Sequence, residues 1–219
     1  MNEHEHEPVT GLPETLPQGE HMLWQGAPVW WPFALRALHV RLVLGYFALL
    51  MVWSLGVDLY AGIALGDALL TASRLVPVAF AAAGFLAFYA WLAQRSTVYT
   101  ITNRRVVMRY GVALPRMLNL PFTVIDSAAL KTYRDGTGDI PLCLDEDERV
   151  SYLMLWPHAR PWCTRKPQPM LRNVPDAGAV ASILGKALAS VAEQRGAAES
   201  KLGVTISGRP AGAQQPAAA

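Results

Sequence analysis

The sequence predicts an α+β membrane protein: a two-helix transmembrane hairpin followed by an antiparallel β-barrel or sandwich that a C-terminal helix closes. Three observations carry this. Between Arg41 and Arg95 only Asp58, Asp67 and Arg74 are charged, and that stretch holds two long apolar runs. After Gln94 the apolar period changes to two, as in half-buried strands. Near the end Val180, Ile183, Leu184, Ala187, Leu188 and Val191 restore a helical stripe.

Composition sets the outer bounds. The 219 residues are 52% hydrophobic and 16% charged, against about 25% charged in soluble domains. Lys and Arg exceed Asp and Glu by a formal +2, which argues against a strongly basic nucleic-acid protein. Cys143 and Cys163 are too few for a disulfide scaffold or a cysteine-rich zinc site.

In chain order, residues 1–20 form an acidic, Pro-containing leader with no hydrophobic period, expected to be flexible. Residues 21–41 form an interfacial segment. Trp24, Trp30 and Trp31 are its anchors, since tryptophan favours the membrane–water boundary, and Pro28 to Arg41 is expected to be an interfacial helix. The hairpin occupies 42–93. Leu42–Val57 has 16 uncharged residues and extends at its edges to a span of about 40–61, while Leu75–Ala93 has 19 and gives a span of 75–93. Pro77 falls in a first helical turn, where its missing N–H does little harm. The bland alternative is a pair of buried core helices in a soluble protein, but the rest of the chain is too short to cover two of them. Leu59–Arg74 is too short and interrupted for a third span. The only Lys or Arg between the spans is Arg74, whereas Arg36 and Arg41 precede them and Arg95, Arg104, Arg105 and Arg109 follow. The positive-inside rule therefore places both termini of this multi-pass chain in the cytoplasm, with a short hairpin loop outside.

The cytoplasmic domain is expected over 95–193. Its strands are Val98–Thr102, Arg105–Tyr110, Met117–Leu120, Ser127–Tyr133, Ile140–Leu144 and Val150–Trp156, and Asp135–Gly138 makes a hairpin turn. Pro175 and Asp176 open the closing helix. Residues 196–219, rich in Ala, Gly, Gln, Pro and Ser, are expected to be a disordered tail.

These residues carry a resemblance. Tyr99-Thr100-Ile101-Thr102-Asn103-Arg104-Arg105-Val106-Val107, Gly111 and Gly136-x-Gly138-Asp139-Ile140 resemble the bacterial pleckstrin-homology-like family, in which a hydrophobic hairpin precedes a PH-like domain. Gly19-Glu20 with Leu23-Trp24-Gln25-Gly26 is similar to the usual leader of that family. More narrowly, Gly11-Leu12-Pro13, Trp30-Trp31, Gly45-Tyr46-Phe47-Ala48-Leu49-Leu50, Tyr152 to Trp162 and Lys166 to Arg172 resemble the PuhB-type photosynthetic complex assembly proteins of purple bacteria. That resemblance implies non-enzymatic help in building the reaction centre and its core light-harvesting antenna in a bacterial inner, intracytoplasmic membrane, with their polypeptides as the expected partners; the residues themselves add membrane lipids and a second copy as further expected contacts. It supplies no catalytic residue, and neither a cofactor nor a nucleic-acid partner is expected.

The residues themselves offer few sites for chemistry. The sequence contains no G-x-S-x-G, no H-E-x-x-H and no phosphate loop. Glu3-His4-Glu5-His6-Glu7 reads as a solvated tail rather than a metal site, and Asp145-Glu146-Asp147-Glu148 as a hairpin tip rather than a calcium loop, since it lacks the required spacing. His39 is a polar residue at a helix entrance; pigment ligation is the weaker reading. The most unusual segment is Trp156-Pro157-His158-Ala159-Arg160-Pro161-Trp162, followed by Arg165-Lys166. Trp and Arg are favoured at interface hot spots, and basic-aromatic loops also meet anionic headgroups. Trp156, His158, Arg160, Trp162 and Arg165 are therefore candidate partner-binding residues, the alternative being that both Trp pack over the sheet. Ala79, Ala83 and Ala87, spaced by four, form a helix-packing face for the first span or for a partner's helix.

Overall fold

The computed structural model describes residues 16–145 and 150–207, with side chains as far as Arg195. The acidic repeat at 3–7, Gly11-Leu12-Pro13, positions 146–148 of the acidic tip and the tail from 208 lie outside the described residues.

The β-structure forms two antiparallel sheets, and among the described residues no strand pairing joins them into a closed barrel. The first sheet runs β1 (Met22–Gly26), β2 (Val98–Thr102), β3 (Arg105–Tyr110), β4 (Arg116–Pro121) in that order. A 3-10 turn at Phe122–Val124 leads into the second. There β5 (Ile125–Ala128) and β6 (Lys131–Thr132) follow one another along β7 (Gly138–Leu144), and β8 (Met170–Val174) pairs with the other edge of β7. Residues 127–133, expected as one strand, are broken at Ala129–Leu130. Pro141 is the reason: its carbonyl accepts the Ala129 N–H at 3.1 Å, but on that same edge it has no N–H to return.

Alternation along β2, β3, β7 and β8 brings Tyr99, Ile101, Val106, Met108, Ile140, Leu142 and Leu171 into one core. The last helix, α6 (Ala177–Ser207), covers that core with Val180, Leu184 and Ala187. The helix continues through 196–207, a stretch expected to be disordered. Its Ala, Glu, Lys and Leu are strong helix formers, and composition alone underrated them.

The main correction concerns the leader. Residues 22–26 are not interfacial chain but the edge strand of the first sheet, paired with Tyr99–Thr102. Trp24 packs against the domain core instead of anchoring at a boundary. Gly26 makes this possible, because a Cβ there would fall within the Trp24 indole. Glu20, with a side chain only 3% exposed, fixes the strand's start by accepting from Arg105 Nε at 2.7 Å and Nη2 at 3.1 Å.

Among the described residues two helical segments are long and apolar enough to cross a membrane: α2 (Val40–Tyr60), and Leu65–Ser96, whose longer part is α4 (Leu75–Ser96); α2 and α4 are in contact with each other. At 1.5 Å per residue each is about 30 Å long, the thickness of a hydrocarbon core. Their outer faces show Leu42, Leu49, Val52, Trp53, Phe80 and Phe85 to the surroundings. Between them α3 (Leu65–Ser73) buries Ala68 and Ala72 and exposes Leu65, Leu69 and Leu70.

The expected interfacial helix is shorter than Pro28–Arg41. It is α1 (Trp30–Arg36), and a left-handed residue, His39 (φ 56°), separates it from α2. Rather than lying apart, α1 is wedged between domain and hairpin. Phe33, Ala34, Ala37 and Leu38 are buried with Ala90 and Ala93 of α4, while the Val29 N–H donates to Asn173 O of β8 at 2.9 Å.

Candidate functional site

The segment Trp156–Trp162 is built onto the lead-in to β8. Val150–Trp156 was expected as a strand; instead Tyr152–Leu155 forms a single helical turn, α5. The Leu155, Met154 and Trp156 N–H groups close that turn onto Ser151 and Tyr152, and the Trp156–Pro157 bond is cis. The chain then runs antiparallel to 168–170. Met170 N–H donates to His158 O at 2.8 Å, and Arg160 N–H to Gln168 O at 2.9 Å.

This geometry turns His158 inward. The ring is fully buried between Phe33 of α1 and Tyr99 and Tyr110 of the sheet, with centroids 5.2–5.7 Å away. Tyr99 Oη accepts the Arg172 backbone N–H at 3.3 Å and is hydrogen-bonded to His158 Nδ1 at 2.7 Å. With the phenol O–H donating to Nδ1, the neutral imidazole carries its proton on Nε2, which faces Thr97 Oγ1 at 3.4 Å. Burial, aided by the nearby Arg172 charge, lowers the His158 pKa to about 3, and burial likewise pushes the Tyr99 phenol up. His158 therefore stays neutral at physiological pH and lies in the interior, away from any docking face.

The other candidate residues in this region face outward. Trp156 is half exposed and stacks on Tyr89 of α4 at 6.3 Å. Beside it α5 exposes Leu153 and Met154. Arg160 is exposed and donates from Nη1 to Gln168 Oε1 at 2.9 Å. Arg165 is exposed further along. Trp162 is 96% exposed and holds a left-handed backbone, φ 65°. That conformation is rare for a bulky side chain and concentrates at functional positions.

The same loop walls one side of a groove of about 680 Å³, whose other walls are α1, β6 and β8. Arg36, His39, Lys131, Arg160 and Arg172 line it with Asp139. Arg36 ties α1 to the domain: Nη2 meets Asp135 Oδ2 at 2.8 Å, Nη1 donates to Thr137 Oγ1 and Asn173 Oδ1, and the guanidinium lies 3.7 Å over the Tyr133 ring. The Thr137 hydroxyl and then the Arg36 charge hold the Asp135 carboxyl below its usual range. Desolvation and a hydrogen bond to Asp139 push Tyr133 up to about 12. Arg36, Tyr133, Asp139 and Arg172 escaped the sequence reading because four separate elements bring them together. The only local signal was the basic-aromatic character of the segments that supply them.

The remaining candidates lie elsewhere. Ala79 is buried and Ala83 and Ala87 are half-buried on α4, which contacts both α1 and α2. Trp30 and Trp31 are exposed and meet edge to face at 5.3 Å. Among the described residues no group of three or more His, Cys, Asp or Glu side chains is placed to hold a metal, and both cysteines are free.

A PH-like domain carried on an apolar helical hairpin is the class of protein that this architecture defines. The chain belongs to the bacterial PH domain family, whose model matches residues 40–188. It is also similar to a protein of Rhodobacter capsulatus described as an uncharacterized 23.7 kDa protein in the puhA 5' region, at 39% identity over 193 residues, covering 85% of this chain and 89% of that one. No solved structure gives a significant match.

Proposed function

We propose that this protein is a non-enzymatic membrane assembly factor for a photosynthetic reaction centre and its core light-harvesting complex. The observation that carries the reading is the 39% identity, over nearly the whole of both chains, to a protein sited in the puhA region, a setting related to photosynthesis. In this reading α2 and α4 cross the bilayer as a hairpin with both termini in the cytoplasm. The pairing of β1 with β2 supports it: two strands of one sheet lie on one side of a membrane, so the chain between Gly26 and Val98 crosses an even number of times. Trp162 is the docking residue, fully exposed on a loop fixed by backbone hydrogen bonds.

The test is deletion of the gene. Assembled core complex should fall while pigment synthesis stays intact; accumulation of a pigment precursor would mean that the protein is an enzyme. For topology, a periplasm-active reporter should be silent at Gly196 and active near Gly62, and the reverse pattern would overturn the hairpin. A second reading, a headgroup-binding PH-like module, is favoured by the basic groove beside the start of α2.

A further inference from the structure

The groove under Trp162 contains an unbalanced cation. Arg172 is 6% exposed, yet among the described residues its side chain gives one hydrogen bond, from Nη1 to Pro157 O at 2.9 Å. Its buried Nε has no partner among the described residues. A guanidinium carries five donors, and a buried charge is ordinarily paired. The carboxylate lining the groove does not supply the missing bonds: Asp139 Oδ1 accepts the Asn173 N–H at 2.8 Å and Oδ2 the Tyr133 O–H at 2.7 Å. Lys131 and Arg160 are exposed at the rim, and Arg36 is already paired with Asp135, so the groove gathers three further cations, with Arg172, against the Asp139 carboxylate. That excess calls for an anion, and guanidinium donors at the base suit a phosphate.

Position indicates where the phosphate comes from. His39, the residue before α2, lines the groove, as do the apolar Leu35, Leu130 and Trp162. If α2 enters a bilayer at Val40, the groove opens at headgroup level with apolar side chains at its mouth. We propose that it binds the phosphate of an anionic phospholipid, with Arg172 at the base and Lys131 and Arg160 at the rim. This rests on the membrane reading of α2 and α4.

The experiment uses the full-length protein in neutral detergent, with native mass spectrometry of lipids retained from mixed phosphatidylglycerol and phosphatidylcholine. Wild type should retain phosphatidylglycerol in preference, and the Lys131→Gln/Arg160→Gln double variant should weaken that preference by about tenfold, the size of one charge-assisted hydrogen bond. Arg172→Gln should abolish it. Should Arg172→Gln fail to fold, the double variant, changed only at exposed positions, decides alone. Equal retention of both lipids by wild type, or an unchanged preference in the double variant, overturns the proposal. Displacement of phosphatidylglycerol by inorganic phosphate at comparable concentration also overturns it, in favour of a soluble-anion site. Alkaline extraction of native membranes separately reports insertion: protein released by alkali would sink the hairpin, whereas retained protein without lipid preference would sink only the groove.

Discussion

Acid should unfold this domain through one buried ring. His158 has an ordinary pKa of 6.5, lowered to about 3 in the fold by burial. Between those values the unfolded chain binds a proton at this position that the folded chain refuses. Stability from the neutral ring is therefore complete above 6.5, declines as pH falls towards 3, and levels off below. From neutrality to about pH 5 the loss is roughly 2 kcal/mol, at ~1.4 kcal/mol per pH decade. For a domain of about 100 residues that lowers Tm by about 8–16 °C. The assay is thermal unfolding of the full-length protein in detergent, followed by tryptophan fluorescence across this range. His158→Gln keeps polar atoms beside Tyr99 and Thr97 but removes the titration. Its Tm should start lower at neutral pH and then stay nearly flat down to about pH 5. Asp135 does not confound the window. Its carboxyl is held below the ordinary 3.8, so its contribution is lost only in stronger acid. Parallel declines in wild type and His158→Gln would refute the reasoning, because the acid sensitivity would then arise elsewhere.

Other substitutions probe separate parts of the structure. Trp24→Ala should destabilise the domain by about 2 kcal/mol, less than the 3–5 kcal/mol of a fully buried Trp, measured by chemical unfolding; a neutral effect would remove β1 from the folded core. Gly138→Ala should cost roughly 1–3 kcal/mol in the same measurement, because its Cβ would stand 2.6 Å from Lys131 O and 2.5 Å from the Ala177 Cβ. Arg36→Ala should cost about 1–2 kcal/mol and speed proteolysis of the α1 region, the guanidinium being its polar tie to Asp135, Thr137 and Asn173. Trp162→Ala should leave stability within about 0.5 kcal/mol and protein abundance unchanged while impairing assembly of the core complex. Normal assembly in that variant would take the loop out of the functional account.

The hairpin and the central strands were legible because each repeats its own period over enough residues to outweigh local exceptions: uncharged runs for α2 and α4, and alternation for β2, β3 and β7. Strand β1 was not. It is five residues long, has no fully buried residue, and its partner lies on the far side of the hairpin, so only a long-range pairing marks it as a strand. Val150–Trp156 failed for the opposite reason. Its β-favouring Val150 and Tyr152 suggested extended chain, but the hydrogen bonds onto Ser151 and Tyr152 close a helical turn there. At the candidate site the sequence singled out the segment Trp156–Trp162 and could not assign its faces. His158 and Trp162 stand four apart, one fully buried and the other almost wholly exposed. The difference comes from packing under α1, which lies far away in the sequence.

The division of the first sheet around the hairpin also orders events during synthesis. β1 leaves the ribosome first and must wait, with one edge unmatched, until both apolar helices and then Val98–Thr102 have been made. Were one helix to insert and the other to fail, β1 and β2 would end up in different compartments, and the sheet would lack its outer strand. The exposed edge of β2 would then mark the faulty chain for aggregation or degradation. In the proposed topology, β1 can close onto β2 only in chains whose hairpin has returned to the side it left, so the pairing would act as a checkpoint on insertion.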